Sequence, residues 1–235
     1  MPFFLRHRQP DIIEEMDKEN CDQAKLNKTY HHFATINEFL SNWRNIYSKQ
    51  LKPLMSEPNQ SYSLLDIGFG GGDIPIAISK WANQDGIKLE ITAIETDKRA
   101  LDFVAKHSEG SEVSFVYSSS SQLVSKTMQY DFVISNNLLH HLTASETDQL
   151  LSDSISLSKK RVIFNDIRRS DIGYALYSAY SRIFFSDSFV TIDGLASIKR
   201  SYTKKELAEA VPSGWKVETQ YPFRLLLIHD KEYEN

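Results

Sequence analysis

Apolar positions recur along this chain in two alternating rhythms. Short runs of four to six apolar residues, Ser63–Ile67, Leu89–Ile94, Val113–Tyr117, Phe132–Ser135 and Arg161–Asn165, read as buried strands. Between them, Ile74–Asn83, Lys98–Lys106, Gln122–Lys126 and Ser145–Ser156 space their apolar residues by three and four, as helices do. Strands separated by helices build parallel βαβ units with right-handed crossovers. The end of the chain departs from this rhythm. A helix over Lys204–Ala210 precedes two strands, Trp215–Gln220 and Arg224–His229, and the short link Tyr221-Pro222-Phe223 implies that they pair antiparallel. The pattern predicts a doubly wound, Rossmann-like α/β sheet of seven strands, mostly parallel, with an antiparallel last strand.

Ahead of the sheet, residues 11–52 are helical in pattern. Phe33, Ile36, Phe39, Leu40, Trp43, Ile46 and Tyr47 fall on one apolar stripe. Pro53, Pro58 and Asn59–Ser61 read as a linker. Residues 1–58 are therefore expected to form an N-terminal helical lid, and 59–235 the α/β domain. An aromatic insertion at about 168–200 carries Tyr174, Tyr177, Tyr180, Phe184, Phe185 and Phe189. It falls where a second piece of lid over an apolar or aromatic ligand would lie.

Composition narrows the field. With 27 basic and 31 acidic residues interspersed, no basic face offers itself to nucleic acid. No apolar run reaches membrane-spanning length, and the first residues do not read as a secretory signal, so a cytoplasmic location is the default expectation. Cys21 is the sole cysteine, which excludes an internal disulfide. No metal-ligand spacing stands out, and no metal is expected.

Three clusters carry candidate chemistry. In Leu64-Leu65-Asp66-Ile67-Gly68-Phe69-Gly70-Gly71-Gly72-Asp73 a buried strand runs into a glycine loop and then a helix, letting backbone approach a ligand closely. Asp73 is expected to cap that helix and Pro75 to sit in its first turn. A dinucleotide fingerprint fails on spacing, because Asp73 or Pro75 stands where its last glycine belongs. A phosphate loop fails for want of Gly-Lys-Ser/Thr. An acid within the loop, Asp66, suits a cationic ligand end. Glu95 closes the next strand, in the position that holds ribose hydroxyls, with Thr96 beside it. Beyond strand four, Asn136-Asn137-Leu138-Leu139-His140-His141-Leu142 brings two histidines to the ligand-binding edge. Neighbouring residues on such a loop point opposite ways, so one histidine at most is expected to face the cleft. Asp166 and Arg168 follow strand five at the same edge.

Asp66, Gly68, Gly70 and Gly72 resemble, position for position, the Asp-x-Gly-x-Gly-x-Gly motif of the class I S-adenosylmethionine-dependent methyltransferases. The resemblance covers roughly residues 60–230. It implies that the glycine loop holds the methionyl part of S-adenosylmethionine and Glu95 its ribose. The adenine-contacting acid of the family falls at Ser119 here. Asn136 would face the methionyl group or the substrate. Leu-His-His-Leu is similar to the fourth motif of small-molecule methyltransferases, and the Asn/Asp-Pro-Pro-Tyr of amide-methylating enzymes is absent. Asn165-Asp166-Ile167-Arg168-Arg169 with Asp193-Gly194-Leu195-Ala196-Ser197-Ile198-Lys199-Arg200, and Glu15-Met16-Asp17 with Asn37, resemble a narrower bacterial group described as ubiquinone-type O-methyltransferase-like. The implied activity is O-methylation of a phenolic or enolic hydroxyl, with His140, His141, Asp166 and Arg168 as candidate catalytic residues. The competing expectations are a cofactor-binding protein without transferase activity and a methyltransferase acting on RNA or protein.

Overall fold

A computed structural model describes residues 2–57 and 59–231. Its centre is one seven-stranded sheet: β1 (Ser61–Ile67), β2 (Lys88–Glu95), β3 (Val113–Tyr117), β4 (Tyr130–Asn136), β5 (Ser158–Ile167), β6 (Lys216–Gln220) and β7 (Arg224–Asp230), in the order β3-β2-β1-β4-β5-β7-β6. The first five strands pair in parallel. β7 runs antiparallel to both β5 and β6. Six strands thus share one direction and β7 alone opposes it, as the short link before it requires. Strand order reverses between β1 and β4, and the crevice beyond their carboxyl ends is where such sheets bind ligands.

The central strands β1, β4, β5 and β7 are buried on both faces, which is why they are apolar in runs. Leu64, Ile91, Phe132, Ile134 and Ile163 point to one core, and Leu65, Ile67, Val133, Val162 and Phe164 to the other. α3 (Asp73–Gln84) and α4 (Lys98–His107) cover the first face; α6 (Ala144–Leu157) and α9 (Lys204–Ala210) cover the second. α5 (Ser120–Ser125) joins β3 to β4, and α7 (Asp171–Phe184) and α8 (Val190–Arg200) fill the stretch after β5.

The amino-terminal segment shares the first core through Leu26, Tyr30, Trp43, Ile46 and Tyr47, but not as one continuous helix. α1 (Gln23–Leu40) is capped by the Asp22 carboxylate, which accepts from the Ala24 and Lys25 amides. It stops at Ser41 and Asn42, the latter with φ 59°, before α2 (Trp43–Ile46) and a π-helical turn over Tyr47–Leu51. That break divides the apolar stripe. Phe33, Ile36, Phe39 and Leu40 face a cavity, whereas Trp43, Ile46 and Tyr47 enter the core. Residues 11–22 hold only a single 3-10 turn, Glu15–Asp17, because the Glu15 and Met16 amides donate to the Asp193 carboxylate at 2.7 and 3.0 Å. The expected linker is also shorter at its far end: Ser61 opens β1, and Pro58 lies outside the described residues.

Candidate active site

A cavity of about 690 Å³ opens at the carboxyl ends of β1, β2, β4 and β5, walled on its far side by α1, α7, α8 and the turn between β6 and β7. Two chemically distinct corners meet in it.

The first corner is the glycine loop. β1 delivers Asp66 to the crevice, and Gly68, Phe69 and Gly70 line it. Gly70 takes φ 52°, and its amide donates to Glu95 Oε2 at 3.3 Å. Glu95 Oε1 accepts from the Thr96 and Asp97 amides at 2.7 and 3.2 Å, so one carboxylate ties the loop to the end of β2. Gly72 serves packing. At φ 76° it turns the chain into α3, and a Cβ there would stand 2.9 Å from Val104 and 3.0 Å from Phe115. Gly72, and not Asp73, occupies the helix cap position, because Asp73 is the first helical residue. The Asp73 side chain instead accepts from Asn37 Nδ2 of α1 at 2.9 Å.

This corner is acidic and short of cations. Asp66 is buried, and its Oδ1 has no hydrogen-bond partner. Burial, with Asp73 and Glu95 nearby, pushes its carboxyl well above the usual carboxylate range. Burial lifts Asp73 to about 6, against the pull of its bonds to Asn37 and its own backbone. An orphaned buried carboxylate among acids favours a positively charged guest, since an unpaired charge in such a site is costly.

The second corner gathers residues far apart in sequence. β4 runs into a 3-10 turn, Leu139–His141, where successive side chains are about 120° apart and not opposed. Both histidines therefore face the cavity, with ring centroids 4.3 Å apart, where an extended loop would have sent one away. His140 is buried at 1% exposure; its Nδ1 lies 2.6 Å from Asp166 Oδ1, and its backbone amide donates to Asp166 Oδ2 at 3.1 Å. Its Nε2 has no hydrogen-bond partner and stands 3.7 Å from Glu14 Oε1. His141 bonds Asp17 through Nδ1 at 3.2 Å and places Nε2 3.8 Å from the same Glu14 oxygen. Ser197 Oγ donates to Glu14 Oε1 at 2.9 Å, and Arg200 reaches within 3.7 Å of both Glu14 and Asp17. Arg200 also donates to the carbonyls of His140 and His141, bracing the turn from behind. Burial alone would lower the His140 pKa; the charge and hydrogen bond of Asp166, with Glu14, outweigh it and raise it to about 9. Asp166 moves the opposite way, held below the usual range by His140 despite its burial.

Donor atoms of Glu14, His140 and His141 lie within 4.8 Å of one another, a spacing that could hold a metal ion. The Arg200 guanidinium already places a positive charge beside Glu14, and a divalent ion would have to sit against it.

The two corners meet across a polar floor. Asn136 Oδ1 accepts from Trp43 Nε1, Asn165 Nδ2 and Arg224 at 2.9, 3.2 and 3.1 Å, and Asn136 Nδ2 donates to Asn37 at 3.3 Å. The Asn136 amide on the cavity wall is thus engaged on both sides. Of the other sequence candidates, Thr96 and Arg168 line the cavity. Ser119 does not; its hydroxyl closes a capping box with Gln122 at the start of α5.

Residues 64–161 match the family model described as a methyltransferase domain. Over that segment the chain carries a methyltransferase domain. No curated protein sequence matches the chain. Among solved structures, an O-methyltransferase family protein from Burkholderia thailandensis superposes with a TM-score of 0.64 at 14% identity, over 98% of this chain and 67% of that one. The plantazolicin methyltransferase BpumL, solved with S-adenosylhomocysteine, gives 0.60 at 13% identity over 89% and 97% of the two chains. An O-methyltransferase family 2 protein from Planctomyces limnophilus, solved with apigenin, gives 0.59 at 14%, over 92% and 64%. At these identities the likeness speaks for the fold.

Within this methyltransferase, the matched segment supplies the glycine loop, Glu95 and both histidines. Glu14, Asp17 and Asn37 come from ahead of it, and Asp166, Asp193, Ser197, Arg200 and Arg224 from behind. Sequence reasoning left Glu14 and Arg224 without a role. Glu14 sits in no motif and lies 126 positions from His140, so only the folded chain brings them together. Among the described residues, no helix is long and apolar enough to cross a membrane.

Proposed function

We propose that this methyltransferase transfers a methyl group to a hydroxyl of an apolar small molecule, phenolic or enolic in character. The observation that carries the reading is a single cavity joining an acidic glycine-loop corner to the buried Asp166–His140 pair, whose Nε2 is left unpartnered.

Bound S-adenosylmethionine would supply an activated methyl group on a sulfonium. Asp66, Gly68, Gly70, Glu95 and Thr96 are the residues that would hold it: the acids match its cationic methionyl end, and Glu95 suits ribose hydroxyls. Gly72 keeps α3 close to the sheet behind the loop. Asn136 acts through the floor network. Ser119, engaged in the α5 capping box, leaves the adenine edge without the family's usual acid.

Methyl transfer to oxygen needs the acceptor placed in line and relieved of its proton. His140 Nε2 is the atom suited to take that proton, with Asp166 fixing the ring and its tautomer. Glu14, held by Ser197 and Arg200, stands 3.7 Å from Nε2 and keeps the corner balanced in charge. Phe33, Ile36, Phe39 and Leu40 of α1 with Leu176, Tyr177 and Tyr180 of α7 form the apolar wall, so residues 1–58 and the stretch at 168–200 serve as cap and lid. Such a wall fits a small aromatic or polyketide-like acceptor; neither the net charge nor the cavity suits RNA.

The test is a tritiated-methyl transfer screen over phenols, enolic pyrones, RNA and protein extract. Label appearing in phenols or enols, and lost in His140→Gln, supports the reading. Label confined to RNA or protein overturns it.

A further inference from the structure

Among the described residues that line this cavity, Arg168 is a cation without a carboxylate partner. It follows β5 directly, lines the cavity and is half-buried. Its backbone amide donates to the Phe223 carbonyl at 2.8 Å, and its guanidinium lies over the Phe223 ring at 5.7 Å. Among the described residues the guanidinium has no carboxylate partner. Arg200 and Arg224, nearby, are both committed: the first to Glu14 and Asp17, the second to Asn136, Asn137 and Asn165. A stacked ring orients a guanidinium fork without neutralising it.

The glycine-loop corner carries the opposite sign, and the carboxylates of the histidine turn are already paired with Arg200, His140 and His141. Glu14, Asp17, Asp66, Asp73 and Glu95 surround the glycine loop and the histidine turn. A negative group on a ligand would be repelled from the glycine-loop corner, would find the cations of the histidine turn already paired, and would be drawn to Arg168. Around Arg168 the wall is apolar, built by Gly173 and Leu176 of α7 with Tyr221 and Phe223 of the β6–β7 turn. The Phe223 ring packs against Gly173, where a Cβ would come within 3.1 Å, so the platform under Arg168 is tightly seated.

We propose that Arg168 binds a carboxylate on the acceptor, so that the substrate is a hydroxylated acid with apolar bulk between its hydroxyl and its acid group. This rests on the small-molecule O-methylation reading and makes Arg168 a specificity-determining residue. A planar guanidinium offers a carboxylate two parallel hydrogen bonds, which a neutral ester or amide cannot accept with the same strength.

The experiment uses the full chain loaded with S-adenosylhomocysteine and matched hydroxyaryl and enolic acids, their methyl esters and their primary amides. Affinity is measured by calorimetry, and methyl transfer is measured separately with S-adenosylmethionine. The expected result is that wild type binds the acids at least tenfold more tightly than the esters. Arg168→Gln should lose that preference, with the KM for the acids rising toward that for the esters, and Arg168→Lys should restore part of it. Equal affinity for acids and esters in wild type overturns the proposal, as does an equal loss for both in Arg168→Gln. Those outcomes leave the O-methylation reading standing; that reading fails instead if hydroxyl acceptors bind and none is methylated.

Discussion

His140 Nδ1 lies 2.6 Å from Asp166 Oδ1, and the pair is buried at the histidine corner of the cavity. The aspartate fixes which ring nitrogen faces the ligand and holds the imidazole in its charged form to about pH 9. A base must be neutral to accept a proton. The expected kcat/KM therefore climbs with pH from about 6.5 toward about 9 and then levels. His140→Gln should lower kcat by roughly 10²–10⁴ and flatten the profile, because general-base contributions are of that size. A pH profile unchanged in His140→Gln would remove this residue from the proton's path.

The same pair links stability to pH. The folded value of His140 exceeds its ordinary 6.5, so its contribution is complete below pH 6.5 and is lost as pH rises through about 9. Thermal denaturation of the ligand-free protein should show Tm falling across pH 7–9.5, and His140→Gln should remove most of that slope. An equally steep slope in the variant would place its origin elsewhere.

Asp66 offers a different signature. Its buried, unpartnered carboxyl opposes folding once ionised, yet it suits a cationic guest. Asp66→Asn should raise the Tm of the ligand-free protein at pH 8 by about 2–4 °C, the shift that 1 kcal/mol gives at this size. The same change should weaken S-adenosylmethionine binding at least tenfold. In wild type, affinity should fall as the pH drops through about 6, where Asp73 takes up a proton. Calorimetric titration at pH 5.5 and 8 checks both statements.

Gly72→Ala tests the loop's packing apart from its chemistry. The new methyl group would stand 2.9 Å from Val104 and 3.0 Å from Phe115. We expect a loss of about 1–3 kcal/mol in denaturant unfolding. Gly86→Ala shares a positive φ, 70°, but has nothing within 4 Å of its would-be Cβ, so it should lose only the backbone component. Equal losses in the two variants would refute the packing argument.

Metal removal addresses the Glu14, His140 and His141 cluster. With Arg200 already beside Glu14, dialysis against EDTA should leave the transfer rate unchanged. A rate lost on dialysis and restored by one divalent ion would make the cluster a metal site.

Much of the fold was legible because its signals are local. Runs of apolar residues marked each strand, and the link at Tyr221–Phe223 was too short for anything but an antiparallel return. The glycine loop was legible because turning a strand straight into a helix beside a ligand demands residues without side chains. Other features were not. The helix break at Asn42 has no proline or glycine to announce it, since an asparagine takes the left-handed conformation in their place. The paired facing of His140 and His141 depends on a single 3-10 turn, which periodicity does not reveal. Ser119 stands where the family pattern expects an acid, but its hydroxyl is used to cap α5. Glu14 was invisible because what defines it is a set of neighbours from α8 and the histidine turn.

The Asp193 carboxylate grips the backbone of Glu15 and Met16 and so fixes where Glu14 projects. A chain trimmed to start at β1 would lose one side of its pocket and also the part of the first core that Leu26, Tyr30, Trp43, Ile46 and Tyr47 fill. Exchanging residues 11–22 and their α8 clasp between related proteins should therefore redirect such a catalyst to new acceptors, while α1 keeps its hold on the glycine loop.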